Sequence, residues 1–312
     1  MIGALEIGVI VPCYRSERYL AATLASVQAQ THQAWRLVVV DDGSPDNVAD
    51  VAASFAATDT RTTFVRIPNG GVCAARNTGF AQLSETVRYI MFLDQDDVLG
   101  ADALGTLVAV LEARPEAGLV HCEPRLIDAK GKDVPGRRWM PRWVRGNGWP
   151  KELSATDDDI TPFESIYCAA GVLPSLSLYR RSVLMQTGLY DVELGQCYED
   201  VSLNIGVALR SEVRHVAARL VGYRLHSGQV SRNEELRRRQ EERLYHKWTT
   251  RTDLSAEHAA RIAAAERFRT GPLAVRLALI AGKRALKEWR LGEAFCASRA
   301  LLAGLAVWVG RR

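Results

Sequence analysis

Three carboxylates follow directly on an apolar stretch in the first third of the chain. Residues 89–93 are short, β-favouring and bounded by polar residues, which is typical of a buried strand. Asp94, Asp96 and Asp97 come next. Because side chains alternate along an extended backbone, Asp94 and Asp96 are expected on the same side. Carboxylates so close together repel, so either some stay protonated or a cation neutralises them.

Two interpretations of this cluster are open from these residues alone. A hard divalent cation takes oxygen ligands, commonly one or two carboxylates together with substrate phosphates. The cluster is equally compatible with a polar strand end, in which a residue such as Asp97 caps the next helix.

Strands that alternate with helices must position these residues. Apolar runs at residues 7–11, 37–40, 63–67 and 89–93 are each followed by a segment with helical periodicity. This alternation predicts a mostly parallel sheet covered by helices on both faces. Ligands of such sheets bind outside the carboxyl ends of the strands. Polar clusters stand at three of those ends, at residues 12–15, 41–44 and 94–97, so we expect them to converge at one edge.

Composition excludes several classes of protein. The chain has 312 residues, 47% of them hydrophobic and 24% charged, which indicates one large or two small globular domains. The formal net charge of +4 is small, and it does not indicate a nucleic-acid-binding protein. The six cysteines are scattered, which favours reduced thiols over zinc ligands or disulfides. No N-terminal signal peptide is recognisable, and we expect a cytoplasmic location.

Six segments, taken together and in order, resemble the family 2 glycosyltransferases, which use nucleotide sugars and have the GT-A fold. The segments are residues 9–14, 39–44, 71–79, 92–97, 199–200 and 223–226. The resemblance implies a Rossmann-like GT-A catalytic domain at 1–232, with its nucleotide-binding half at about 1–120 and its acceptor-binding half at about 121–232. A helical C-terminal extension would occupy 233–312. Arg15 departs from the family, which commonly has Asn there.

The resemblance also implies an activity. It is that of an inverting, hexosyltransferase-type enzyme that moves a sugar from a nucleoside diphosphate, UDP above all, to an acceptor hydroxyl. The acceptor would be a saccharide or a lipid-linked molecule in the synthesis of a bacterial-type cell-surface polysaccharide or glycolipid. Asp200 would be the general base and Glu199 an acceptor contact. Asp96 and His226 would bind Mn2+ or Mg2+.

The donor contacts that the resemblance implies are Pro12, Tyr14, Asp41, Asp42, Arg76 and Asp94. Some of the site assignments have a structural alternative. Arg76 could pair with Asp41 or Asp42, and an acidic pair at residues 199–200 could simply stabilise a helix N-terminus.

Two regions match no motif. Residues 125–163 carry Trp139, Trp143 and Trp149, which could stack on an acceptor or pack the loop onto the body. The C-terminal third contains basic amphipathic segments, compatible with peripheral contact at the inner face of the cell membrane, with a homodimer, or with packing on the catalytic domain. Its last apolar stretch, residues 300–310, is shorter than the roughly 20 residues that span a bilayer.

Two other functions remain open. A different metal-dependent nucleotide-sugar enzyme, such as a nucleotidyltransferase, is disfavoured because no Gly-rich phosphate loop lies near the N-terminus. A non-catalytic scaffold is disfavoured because Asp94, Asp96 and Asp200 are all present.

Overall fold

The computed structural model describes residues 6–134, 159–168, 172–229, 233–274 and 279. The three tryptophans of the unmatched loop lie outside these ranges, as does nearly all of the chain after residue 274. The described residues belong to two compact units. One contains residues 6–134, 159–160 and 172–244, apart from the gap at 230–232, and the other contains 161–168 and 245–274. The domain boundary predicted at 232/233 stays a prediction.

An eight-stranded sheet forms the first unit, in the order β3-β2-β1-β4-β7-β6-β8-β5. Its strands are β1 Ile7–Cys13, β2 Trp35–Asp41, β3 Thr62–Arg66, β4 Tyr89–Phe92, β5 Val98–Leu99, β6 Ala117–Ile127, β7 Ser177–Arg180 and β8 Glu212–Arg224. Strands β1 to β4 pair in parallel, and so do β6 and β8. Strand β7 runs antiparallel to both of its neighbours, and β5 runs antiparallel to β8. The parallel character predicted from the sequence therefore holds for the N-terminal half, and the rest of the sheet is mixed.

Helices connect and cover these strands. They are α1 Glu17–Gln28, α2 Val48–Thr58, α3 Val72–Ala81, α4 Ala103–Ala113, α5 Phe163–Tyr167, α6 Arg181–Thr187, α7 Glu199–Ala208, α8 Glu234–Thr250 and α9 Ala256–Phe268. Helix α5, the end of α8 and helix α9 belong to the second unit. None of the helices in the described part of the chain is long and apolar enough to cross a bilayer.

The main core lies between the sheet and helices α1, α2 and α4. Apolar side chains three or four residues apart on α1 and α4 are fully or almost fully buried against alternate residues of β1, β2 and β4. Helix α3 lies on the sheet at Gly79, where a Cβ atom would stand 2.4 Å from Cγ2 of Ile10. The missing side chain lets α3 approach the strands closely, which brings Arg76, one turn earlier, into the interior.

Candidate active site

The three polar clusters at the carboxyl ends of β1, β2 and β4 are in contact. The Tyr14 amide donates to Oε1 of Gln95 at 2.6 Å, and Nε2 of Gln95 donates back to the Tyr14 carbonyl at 3.1 Å. The Arg15 amide donates to Oγ of Ser44 at 3.3 Å, although Arg15 has a left-handed backbone with φ of 54°. The predicted convergence of these strand ends is therefore confirmed.

Arg76 is the buried centre of the site. Its Nη2 donates to Oδ1 of Asp94 at 2.7 Å, and its Nη1 donates to Oε1 of Glu199 at 2.9 Å. Only 3% of the arginine is exposed. Its guanidinium also lies 4.7 Å from the ring centre of Tyr190. The alternative prediction, in which Arg76 pairs with the carboxylates at positions 41 and 42, is wrong.

Glu199 and Asp200 form the first turn of α7. Burial, followed by the charge of Glu199, raises the pKa of Asp200 to about 7, against the lowering effect of Arg76. Burial also raises the pKa of Glu199 and of Asp94, while Arg76 lowers both. One guanidinium thus faces three carboxyl groups. Its charge only partly offsets burial and the negative neighbours, so the pKa of Asp200 stays close to neutral.

Asp96 and His226 are in direct contact at the same edge. Nε2 of His226 lies 2.7 Å from Oδ2 of Asp96, and Nδ1 accepts the Gly228 amide at 3.2 Å. The side chains of Asp96 and His226 are 21% and 16% exposed, so this pair can be reached from solvent. The ring of Tyr19 lies 5.0 Å from that of His226.

Asp97 has a different role from the predicted helix cap. It is 1% exposed, and its Oδ1 accepts the backbone amide of Arg224 at 3.0 Å. Helix α4 starts later, at Ala103, with Asp102 as its N-cap residue. Asp97 and Arg224, whose Nε donates to the Asp96 carbonyl at 2.7 Å, therefore fasten the end of β8 to the segment that follows β4. This contact brings His226 to Asp96.

The remaining predicted donor contacts are mostly buried. Pro12 lies inside β1, and Tyr14 is 37% exposed. Asp41 accepts the Ser44 amide at 2.8 Å through Oδ1, and its Oδ2 lies 3.4 Å from Nε of Arg66.

Both carboxylate oxygens of Asp42 accept backbone amides, from Gly70 at 2.7 Å and from Gly71 at 2.9 Å. Asp42 is also only 3% exposed. These contacts favour a role for Asp42 in holding the turn before α3 over the predicted contact with the nucleotide.

Sequence reasoning missed two residues that support the site. Oγ of Ser175 accepts the Asp94 amide at 3.0 Å. Asn77 binds the backbone of Tyr190 twice, donating to its carbonyl at 2.8 Å and accepting its amide at 3.1 Å. Asn77 stands in the matched segment 71–79, directly after Arg76, and that position was the available signal.

The donor set at Asp96 and His226 suits a divalent cation. No group of three or more His, Cys, Asp or Glu side chains is arranged to hold a metal within the ranges that the structure describes. A carboxylate and an imidazole can still bind Mg2+ or Mn2+ when substrate phosphates complete the coordination. A cation at this pair would therefore take further ligands from the phosphates of the donor.

Comparison with known proteins identifies the family. The model of glycosyl transferase family 2 matches residues 8–187. The chain belongs to this family. The match confirms the glycosyltransferase class that the ordered motifs predicted, and with it the assignment of the chain as an enzyme.

Curated relatives of this glycosyltransferase come from several bacteria. The glycosyltransferase GlyA of Streptococcus pneumoniae is 28% identical over 232 residues, which is 73% of this chain and 32% of that protein. The minor teichoic acid biosynthesis protein GgaA of Bacillus subtilis is 36% identical over 187 residues, 59% of this chain and 39% of that protein. The chain thus spans about a third of the length of these relatives.

A solved structure shares the fold. The crystal structure of TarS residues 1–349 from Staphylococcus aureus, in complex with UDP-GlcNAc, superposes with a TM-score of 0.60. The match covers 98% of this chain and 92% of that one, at 15% identity. This likeness confirms the predicted GT-A fold of the family 2 glycosyltransferase.

Proposed function

We propose that this glycosyltransferase transfers a sugar from a UDP-sugar to a hydroxyl group of its acceptor, with inversion at the anomeric carbon. The observation that carries the proposal is the arrangement at the carboxyl edge. Asp200 has a pKa near neutral, and its neighbour Glu199 is hydrogen-bonded to Arg76. Arg76 is also hydrogen-bonded to Asp94, which stands two residues before Asp96 of the Asp96–His226 pair. The UDP-GlcNAc bound by the structural neighbour supports UDP as the nucleotide.

Asp200 supplies the proton acceptor. A general base works best when its pKa lies close to the operating pH, and the pKa of about 7 meets this condition. Asp200 would take the proton of the acceptor hydroxyl as that oxygen attacks the anomeric carbon. A base of this kind contributes about 10² to 10⁴ in rate. Attack by the deprotonated acceptor in one displacement inverts the anomeric configuration, and such a reaction needs no second nucleophile on the protein.

Asp96 and His226 would hold Mn2+ or Mg2+. Bound together with the donor, the cation would neutralise charge on the departing diphosphate. Tyr14, whose amide donates to Gln95, and Asp41 would line the part of the site that binds the base and the ribose of the nucleotide. Arg76 holds the carboxylate of Asp94 and Ser175 holds its backbone amide, so Asp94 would meet the donor in a fixed orientation.

The names of two relatives support an acceptor class. The names of GgaA and of the succinoglycan biosynthesis protein ExoW of Rhizobium meliloti refer to teichoic acid and to a polysaccharide. We therefore propose an acceptor on the route to a cell-surface polysaccharide or glycolipid. The cytoplasmic location, the peripheral membrane contact and the homodimer stay predictions.

Release of the nucleoside diphosphate tests the proposal. The protein is incubated with UDP-, GDP- and dTDP-sugars and with saccharide or lipid-linked acceptors, in Mn2+ or in EDTA, and the released nucleotide is measured. We expect release from a UDP-sugar that depends on the cation and falls about 10² to 10⁴-fold in Asp200→Asn. In Asp96→Asn we expect loss of the Mn2+-dependent part of UDP binding. Absence of release from every donor would overturn the proposed function, and unchanged UDP binding by Asp96→Asn would overturn the cation site.

A further inference from the structure

One buried side chain joins the donor side of the site to the base. Arg76 contacts Asp94 with one terminal nitrogen and Glu199 with the other. Arg76 and Glu199 are 3% and 8% exposed, so neither is a surface residue with a chance ion pair. A guanidinium fork that spans two carboxylates fixes the distance between them, because its donors have a rigid planar geometry.

Helix α3 holds the segment before the base at a second point. Asn77, the neighbour of Arg76, binds both the amide and the carbonyl of Tyr190. The Tyr190 ring packs edge-on against Phe92 of β4, with ring centres 4.9 Å apart. Both ends of the segment from Tyr190 to Glu199 are thereby tied to α3.

The backbone immediately before the base is strained. Cys197 and Tyr198 have φ angles of 68° and 66°, so two successive residues other than glycine lie in the left-handed region. Such a conformation is unfavourable for a residue other than glycine, and it persists only where the surrounding structure imposes it. Helix α7 starts directly afterwards, at Glu199. Its first turn is therefore held in place from outside rather than by local preference.

We infer that Arg76 and Glu199 are positioning residues, which together hold the Asp200 carboxylate in register with the donor-side Asp94. Glu199 acts through Asp200 and does not itself contact the acceptor, in contrast to the assignment drawn from the family resemblance. The inference rests on the proposed function, because it takes Asp200 as the base.

The electrostatic environment of Asp200 provides a specific readout. The charge of Glu199 raises the pKa of Asp200, and the charge of Arg76 lowers it. The other titratable groups that face Asp200 are Asp94, Tyr179, Tyr190, Cys73 and Cys197. The rate should fall at low pH, where Asp200 becomes protonated, and this acid limb of the pH–rate profile follows the pKa of Asp200. Substitutions at 199 and 76 should therefore move it in opposite directions.

The test uses release of UDP from a UDP-sugar with Mn2+ and without any acceptor, so that water takes the sugar. A residue that only contacted the acceptor would have no effect on this rate. We expect Glu199→Ala to lower the rate about 100-fold, because the base is no longer aligned. Glu199→Gln can still accept a hydrogen bond from Arg76, so we expect a smaller loss, about 10-fold. Its acid limb should move to lower pH, whereas Arg76→Gln should move it to higher pH.

A control variant alters an arginine–aspartate pair that lies away from the site. Arg61 donates to Asp59 with Nε at 3.0 Å and Nη2 at 2.7 Å, at the amino end of β3, opposite to the site edge. Arg61→Lys should leave the pH profile unchanged. UDP affinity of Glu199→Gln, measured by calorimetry, should stay within about threefold of the wild type, because the variant alters alignment rather than nucleotide contacts.

The outcomes separate the inference from the proposed function. If the wild type releases UDP but Glu199→Ala and Glu199→Gln release it at the same rate with the same profile, the positioning role is overturned. If the wild type releases nothing from any donor, either without an acceptor or with the saccharide and lipid-linked acceptors added, the proposed function fails. The role of Asp200 as an aligned base fails with it, and the coupling of Glu199 to the Asp200 carboxyl group is tested separately by ¹³C NMR of protein labelled at aspartate carboxyls, with Asp200→Asn to assign the signal. The Asp200 titration should move to lower pH in Glu199→Gln, and an unmoved titration would overturn the inference.

Discussion

Replacing Asp200 by asparagine should make the protein more stable while it abolishes catalysis by the proposed base. Burial raises the pKa of this carboxyl group from 3.8 to about 7 in the folded protein. An unfolded aspartate has its ordinary pKa of about 3.9. Between these values the folded state binds more protons than the unfolded state, so stability falls as the pH rises from about 4 to 7.

The size of the effect follows from the pKa values. A difference of about three pKa units corresponds to about 4 kcal/mol, which is reached once the pH is at or above 7. Water penetration and relaxation of neighbouring groups reduce the cost of a buried charge, so we expect Asp200→Asn to gain about 2 kcal/mol at pH 8. Below about pH 4 the carboxyl group is protonated in both states, and the gain should vanish.

Urea denaturation between pH 3.5 and 8.5, followed by circular dichroism, measures this dependence. Asp59→Asn is the matched control with the opposite sign. Hydrogen bonds from Arg61 lower the pKa of Asp59 to about 2, so this carboxylate stabilises the fold above about pH 4 and loses that effect toward pH 2. Asp59→Asn should therefore destabilise at pH 8. A free-energy difference for Asp200→Asn that is constant with pH, or that favours the wild type at pH 8, would refute the raised pKa.

Three further substitutions test individual contacts. Tyr190 has a buried hydroxyl with no hydrogen-bond partner among the described residues, so Tyr190→Phe should leave the free energy of unfolding unchanged or raise it by about 1 kcal/mol in urea denaturation. Tyr179 donates to Oδ1 of Asn204 at 2.8 Å, and Tyr179→Phe should cost about 1–3 kcal/mol in the same assay because that oxygen loses its donor. His226→Ala should weaken UDP binding in calorimetry with Mn2+ and leave binding in EDTA unchanged; equal weakening in both would contradict a cation ligand.

The N-terminal half of the fold could be predicted because its strands are almost entirely apolar. Strands β1, β2 and β4 are buried throughout or nearly so, and a short, uninterrupted apolar run is typical of a strand covered on both faces. Strand β6 was missed. It contains His121, Glu123 and Pro124, which break the apolar pattern, and its pairing with β8 shifts register at Glu123 and Pro124.

The sequence predicts which residues form the candidate site, but not how they contact one another. Parallel strands share the edge at which Asp94 and Asp96 stand, whereas Asp200, on α7, is assigned by the order of the motifs alone. The partners of Arg76 could not be inferred, because Glu199 is 123 positions away and its approach depends on the left-handed turn before α7. Asp97 shows the same limit. Its partner is the backbone amide of Arg224, and a backbone group leaves no trace in the sequence.

One arginine, Arg76, faces three carboxyl groups, and this imbalance of charge explains why Asp200 suits the role of a base. Arg76 is in hydrogen-bond contact with Asp94 and Glu199, and these contacts favour the ionised forms of both. Asp200 has the charge of Arg76 nearby, but it also has Glu199 and Asp94 as negative neighbours. With a second cation beside it, Asp200 would ionise at a lower pH and become a weaker proton acceptor. Without Arg76, it would hold its proton at neutral pH and could not accept another.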